Sequence, residues 1–108
     1  MERLEFIGYV GNDATKKEFD DNKFVINFSV AKDDSYKDKS GAKVEKTKWF
    51  ECQYWNQKKV QHTWLKKGTH VYVTGEVKAE AYISKENEPT AKLICVVDDI
   101  EILDRKDN

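Results

Sequence analysis

The chain has 108 residues, 36% of them charged, and balances to a formal net charge of −1. That length suits one domain able to close its own core, and that balance excludes bulk basicity as the means of holding a polyanion. No apolar run approaches the roughly 20 residues a membrane span needs, and the opening MERLEF carries no signal-peptide pattern, so the expected setting is cytoplasmic.

Residues 4–10, LEFIGYV, form the first predicted strand, closed by the turn signal Gly11-Asn12-Asp13. A short run from Thr15 to Phe19 leads to a second turn at Asp20-Asp21-Asn22. KFVINFSVAK then alternates, with Phe24, Ile26, Phe28 and Val30 on one face and Lys23, Val25, Asn27 and Ser29 on the other. The polar stretch DDSYKDKSGAK, residues 33–43, is expected as a long connecting loop or hairpin tip, and the strand VEKTKWFECQYW comes next. Asn56 is expected to cap a helix running to about Lys67, with Val60 and Trp64 one turn apart, Lys66 and Lys67 in the last turn and Gly68 beyond it. HVYVTGEVKAEAYIS reads as a strand kinked at Gly75, ENEP as a turn and AKLICVVDDIEIL as the last strand. One domain is thus expected over 1–104, with 105–108 a short disordered end.

Regularly spaced strands around one helix, with few connections long enough for parallel crossovers, point to a small antiparallel barrel. The all-β class that fits is the five-stranded OB-fold, a Greek-key barrel with an α-helix between its third and fourth strands. This fold binds oligonucleotides on a face built from its second and third strands.

The stretch KWFECQYW supplies that face. Side chains alternate along a strand, so Phe50, Cys52 and Tyr54 share one side and Trp49, Glu51, Gln53 and Trp55 the other. The first set reads as core; the second puts two indoles among polar residues. At about 3.3 Å per residue the indoles stand roughly 20 Å apart, too far for one base and suited to separate stations on an extended strand. Residues 36–48 add Lys37, Lys39, Lys43, Lys46 and Lys48 against Asp38 and Glu45, a locally positive field in a neutral chain. An outward aromatic also serves as an oligomer contact or lies under a loop, and either indole alone fits that use equally. The pair on one polar face beside a lysine-rich segment favours a platform for single-stranded nucleic acid.

Catalysis and metal binding find little support. His62 and His70 have no serine or cysteine nucleophile between them, the two cysteines and two histidines lack paired ligand spacing, and Asp98, Asp99, Glu101 and Asp104 read as a solvated strand end. Cys52 and Cys95, in apolar strand contexts, read as buried free thiols of a reducing compartment. The expectation is a protein without cofactor, metal or enzymatic activity.

From Leu4 to Leu103 the chain resembles the bacterial single-stranded DNA-binding proteins, on IGYVGND, INFSVAKDDSYKDKSG, TKWFECQYW, WLKKGTHVYVTGEVKAEAY and the closing strand up to EIL. The resemblance implies a homo-oligomer of OB-folds, usually a tetramer with a dimer left open, that wraps single-stranded DNA without sequence preference in the bacterial cytoplasm and nucleoid. It also implies stacking roles for Tyr36, Trp49, Trp55 and Tyr82, and phosphate-binding roles for Lys37, Lys39, Lys66, Lys67 and Lys78; Lys43 and Lys48 join them from the local charge pattern. The chain departs from the family in three places. Glu80 and Ala81 stand where basic residues are usual, which is expected to weaken phosphate pairing there. Phe50 stands where a histidine is often near the subunit contacts. The sequence ends at DRKDN, where family members continue into a flexible Gly/Pro/Gln-rich tail with an acidic tip, so tail-mediated recruitment of repair enzymes is not expected. A protein-interaction module of a replication-restart assembly, binding single strands weakly, is the alternative; an RNA-binding OB domain is a third.

Overall fold

The computed structural model describes residues 3–83 and 89–104, and for 79–83 and 89–92 the backbone alone. Eight strands succeed one another: β1 Leu4–Val10, β2 Thr15–Glu18, β3 Phe24–Asp33, β4 Tyr36–Lys37, β5 Lys43–Val44, β6 Thr47–Trp55, β7 His70–Ile83 and β8 Pro89–Asp104. The main sheet runs β1-β7-β8-β6-β3-β2, and β1 also pairs β3, so β1, β3, β6, β8 and β7 close a five-stranded barrel with β2 on the outer edge of β3. The five-stranded all-β barrel expected from the sequence is thus present. One pairing departs from an all-antiparallel arrangement. Glu51–Gln53 of β6 run parallel to Ile94–Val96 of β8, because the chain between them forms the long β7–β8 hairpin and returns in the same sense.

The alternation read from β3 and β6 decides the inside. Ile26, Phe28, Val30, Phe50, Cys52 and Tyr54 all enter the core with Phe6, Val10, Leu65, Val71, Val73 and Ile100. Phe50, at the position where the family often places a histidine, stacks on Phe6 with ring centroids 4.3 Å apart. Cys52 and Cys95 are register partners across the parallel pairing, both buried and free. The hydrogen bond to Cys95, then burial, pushes the Cys52 thiol up. Gly75 marks a register shift between β7 and β8. A Cβ there would overlap the Val96 carbonyl oxygen, so only glycine admits the close approach of the two backbones.

The expected helix does not form, and the described residues contain no α-helix. Asn56 sits at φ 52°, in the left-handed region rather than the extended conformation of an N-cap. Its Oδ1 accepts from the Phe24 amide at 2.8 Å and its amide donates to the Phe24 carbonyl at 3.0 Å, so it closes the end of the β3–β6 ladder instead. Between Asn56 and β7 the chain is irregular apart from one 3-10 turn, His62–Trp64. A twelve-residue helix is marginal in isolation, and Val, His, Thr and Trp in this one are weak formers. The barrel end needs only plugs, and Val60, Leu65 and the partly buried Trp64 supply them without helical geometry. Lys59 holds the segment to β8 through Asp99 at 2.8 Å; that bond lowers the Asp99 carboxyl and raises the Lys59 ammonium from their ordinary values. Gly68, at φ 92°, closes the segment as the sequence suggests, and its amide donates to the Val10 carbonyl.

Candidate nucleic-acid interface

Pairing register turns the outer face of β2, β3 and β6 into rows. Lys17, Val25 and Trp55 form one row; Thr15, Asn27 and Gln53 the next; then Ser29 with Glu51, and Ala31 with Trp49. Trp49 is 54% exposed and Trp55 40%, so the indoles stand at the two ends of a polar trough. An open cleft of about 270 Å³ lies between them, lined by the neutral hydrogen-bonding groups of Asn12, Thr15, Asn27, Ser29 and Gln53 and by the carboxylates of Asp13 and Glu51. The neutral groups can meet base edges without selecting one base, while the two carboxylates disfavour a phosphate in the cleft itself.

Each indole is seated. The six-membered edge of Trp49 lies on Gly11, where a Cβ would overlap Cζ3 and fall 3.0 Å from Cη2. The Gly11 amide is in turn fixed by the Ser29 carbonyl at 2.9 Å. Trp55 donates from Nε1 to Gln53 at 3.4 Å and stacks on Phe19, centroids 5.9 Å apart and planes 20° from parallel. Val25, expected on the outer face by alternation, does lie there yet is only 3% exposed, as a buried floor between Lys17 and Trp55.

The polar stretch 33–43 forms, with Val44 after it, a two-stranded ribbon. Tyr36 opposes Val44, and Lys37 opposes Lys43. Asp38 builds the tip, its Oδ1 accepting from the Ser40 hydroxyl and the Ser40 and Ala42 amides, while Gly41 takes φ 85°. Asp33 does the same at the base with Ser35. These hydrogen bonds, the hydroxyl's first in each case, hold both carboxyls below their ordinary value. Tyr36 is 54% exposed on this ribbon, and Lys39 is exposed at its tip.

Like charges directly opposite each other are unfavourable. The structure places two such pairs: Lys37 with Lys43 on the ribbon, and Lys32 with Lys48 on β3 and β6, the latter one residue along from Ala31 and Trp49 and so, by alternation, on the opposite face of the sheet from the indole. Lys43 has Glu45 at 4.0 Å; among the described residues no carboxylate lies within 4.0 Å of Lys32, Lys37 or Lys48. Lys32 is not apparent as a site residue from the sequence because it lies outside the lysine-rich segment, and only the β3–β6 register brings it opposite Lys48. Phe19 is hidden in the same way, as the last residue of a short run ahead of a turn. Lys66 and Lys67 are exposed in the turn before Gly68, tied to the 11–14 segment by the Lys67 amide donating to Asp13 at 2.8 Å. Lys78 is exposed on β7. Tyr82 pairs with Thr90 in the β7–β8 ladder, but its side chain, like those of Glu80 and Ala81, lies outside the described residues, as does the ENEP turn up to Glu88. No cluster of His, Cys, Asp or Glu suited to a metal occurs among the described residues, and none of their helices is long and apolar enough to cross a membrane.

The family model described as "Single-strand binding protein family" matches residues 1–103. The chain belongs to this family. It is similar to the single-stranded DNA-binding protein 1 of Chlorobaculum tepidum, 27% identical over 112 residues covering 100% of the chain and 68% of that protein. It is also similar to the single-stranded DNA-binding protein of Chlamydia caviae, 33% identical over 97 residues, 89% of the chain and 57% of that protein. The chain thus spans between 57% and 68% of the length of these relatives. Among solved structures, a Plasmodium falciparum SSB in complex with ssDNA superposes with TM-score 0.75 at 24% identity, covering 96% of each chain. A small single-stranded DNA-binding protein from Streptomyces coelicolor superposes with TM-score 0.73 at 15% identity, covering 94% of this chain and 93% of that one. At these identities the likeness to solved structures speaks for the OB barrel alone.

Proposed function

We propose that this chain binds and protects single-stranded DNA during replication, recombination or repair, without sequence preference and without catalysis. The observation that carries the reading is the pair of seated, half-exposed indoles at the two ends of one polar trough. Bases stack on Trp49 and Trp55, with Tyr36 and Tyr82 as further stations, and every base offers the π-face this needs. Phosphates pair with Lys37, Lys39, Lys43 and Lys48, and further along with Lys66, Lys67 and Lys78. The opposed lysine pairs support this assignment, because an anion between two like charges turns their repulsion into attraction. The family of the chain and the names of its relatives support single-stranded DNA as the ligand.

The decisive experiment is intrinsic tryptophan fluorescence during titration with poly(dT) at two salt concentrations. Quenching that saturates at a defined nucleotide ratio and weakens with salt is the expected result. An unquenched signal at low salt overturns the reading and hands the indoles to a protein interface.

Self-association belongs to the same proposal. The face of β1 and β7 away from the trough exposes Ile7 and Tyr9, with Leu103 of β8 nearby in the sheet; Tyr9 stacks on His70 at 4.5 Å. Among the described residues β1 meets β3 only at Tyr9 and Val10, so the rest of that strand edge is open to pairing. A second copy of this chain fits both features. Sedimentation of wild type and Leu103→Glu tests it: an oligomer that the substitution dissociates is expected, and a monomeric wild type would refute it. A cytoplasmic, nucleoid-associated setting goes with the same ligand.

A further inference from the structure

Beyond Trp55 the outer face does not stop at the barrel. Phe19 lies past the end of β2, 42% exposed, with its ring stacked on the Trp55 indole. At 5.9 Å between centroids the rings are offset, so together they make a ledge broader than either and leave each about two-fifths exposed. The ledge is held from beneath and behind. Val25 is buried under it, and the Phe19 amide donates to the Lys23 carbonyl at 2.7 Å. Asp21 and Asn22 turn the chain at φ 65° and 61°, a conformation these two residue types tolerate best among non-glycines. A turn built this tightly fixes where the ring points. The Lys17 ammonium stands 5.4 Å from the Phe19 ring centroid.

On the far side of Phe19 an open groove of about 350 Å³ begins, lined by Phe19 itself, Phe24, Lys16, Lys23, Lys58 and Glu18. Lys16 is partly committed, to Glu18 at 3.3 Å and to the Phe24 ring at 4.7 Å. Among the described residues no carboxylate lies within 4.0 Å of Lys23 or Lys58, and Asp20 and Asp21 do not line the groove. The order along the surface is therefore indole, phenyl ring, then a lysine-lined channel, which is the order a base-stacked, phosphate-charged single strand requires.

We propose that the single-strand track continues past Trp55 onto this turn, with Phe19 as a further base-stacking ring and Lys23 and Lys58 as phosphate partners in the groove behind it. The extension rests on the single-strand reading above and adds a binding surface, on β2 and the 56–61 segment, that neither the alternation of β6 nor the lysine-rich ribbon contains. Phe19 acts here as a contact. A mere brace for Trp55 would need bulk but no π-face.

That difference sets the test. Full-length wild type, Phe19→Ala, Phe19→Leu, Phe19→Trp and Trp55→Ala are titrated with poly(dT), and the double variant Lys23→Ala/Lys58→Ala is titrated across salt. Phe19→Ala and Phe19→Leu are expected to weaken binding by roughly five- to a hundredfold, while Phe19→Trp retains it. The lysine variant is expected to lower the slope of log affinity against log salt by about 1.4, at roughly 0.7 per phosphate contact on single strands. The ring is exposed and its turn is closed by backbone bonds, so the barrel's melting temperature, measured alongside, is expected to stay put. If Trp55→Ala weakens binding but Phe19→Leu matches wild type, Phe19 is a brace and its assignment falls. A salt slope unchanged in the lysine variant removes the groove. If wild type itself leaves poly(dT) unbound, the single-strand reading falls and the extension with it.

Discussion

The seat of Trp49 allows affinity and stability to be moved in opposite directions by one methyl group. Gly11 has no positive φ, so alanine fits its backbone, and such a change ordinarily stabilises by about 0.4–1 kcal/mol through the unfolded chain. Its Cβ, however, would overlap Cζ3 of Trp49 and lie 3.0 Å from Cη2 and 3.1 Å from the Ser29 hydroxyl. The atoms in the way are the far end of an exposed side chain, so the fold has no reason to suffer; the indole has to leave its seat. Trp49 keeps 54% of its surface exposed. On a side chain of about 250 Å² that is about 130 Å², and covering most of it with a base at about 25 cal/mol per Å² gives roughly 2–3 kcal/mol. Stacking measured by alanine substitution falls in the same range, about 1–3 kcal/mol per base.

Gly11→Ala is therefore expected to weaken poly(dT) binding by up to about a hundredfold, approaching the Trp49→Ala value, while its melting temperature holds or rises. Fluorescence titration and thermal denaturation on the same preparations read both quantities. In a Trp49→Ala background the Gly11 substitution is expected to cost nothing further, since the clash has no partner left. Undiminished binding by Gly11→Ala, or an equal penalty in the Trp49→Ala background, would refute the argument that Gly11 acts by seating the indole.

Gly75→Ala makes the contrasting case, because its Cβ meets the Val96 backbone and cannot be accommodated by a side-chain swing. A loss of about 1–3 kcal/mol is expected in denaturant unfolding, and a variant as stable as wild type would show that β7 and β8 can part there at no cost. Lys32→Ala relieves a like-charge pair with Lys48 and is expected to raise stability by roughly 0.2–1 kcal/mol while lowering the salt slope for single strands by about 0.7. An unchanged slope would take Lys32 out of the interface. Asp38 is held below its ordinary 3.8 by hydrogen bonds that the carboxylate accepts more strongly than the acid, so its contribution to the ribbon is complete above that value and is lost as pH falls through the lower folded value. The Ser40 and Ala42 amide resonances are expected to track that low transition in an NMR acid titration; movement centred at an ordinary aspartate pKa would sink the assignment.

What could be read from the sequence was whatever repeats with period two. The alternation of β3 and β6 placed Ile26, Phe28, Val30, Phe50, Cys52 and Tyr54 inside and both tryptophans outside, because burial of one face enforces that pattern directly. The helix failed for the complementary reason. Val60 and Trp64 at a spacing of four is a weak signal, and a barrel end is satisfied by any path that delivers Val60, Trp64 and Leu65 to it. Features set by register were out of reach: Lys32 opposite Lys48, the parallel contact of β6 with β8, and Gly11 beneath Trp49 each join positions far apart in the chain. Phe19 on Trp55 belongs with them.

The stations so placed are unequal in how much ordering a ligand must supply. Trp49 and Trp55 project from β6, which pairs with β3 at both positions and with β8 between them, and each ring already rests on a fixed neighbour. A base that stacks there meets a surface whose entropy was lost in folding, so most of the contact energy appears as affinity. Tyr36 stands instead on a two-stranded ribbon, which has no third strand and depends on the Asp33 and Asp38 turns to keep its shape. Its lysines oppose one another across that ribbon until an anion arrives. On the proposed reading, part of what Tyr36 would gain from a base goes into ordering the ribbon, and Tyr36→Ala is expected to weaken poly(dT) binding less than Trp49→Ala or Trp55→Ala.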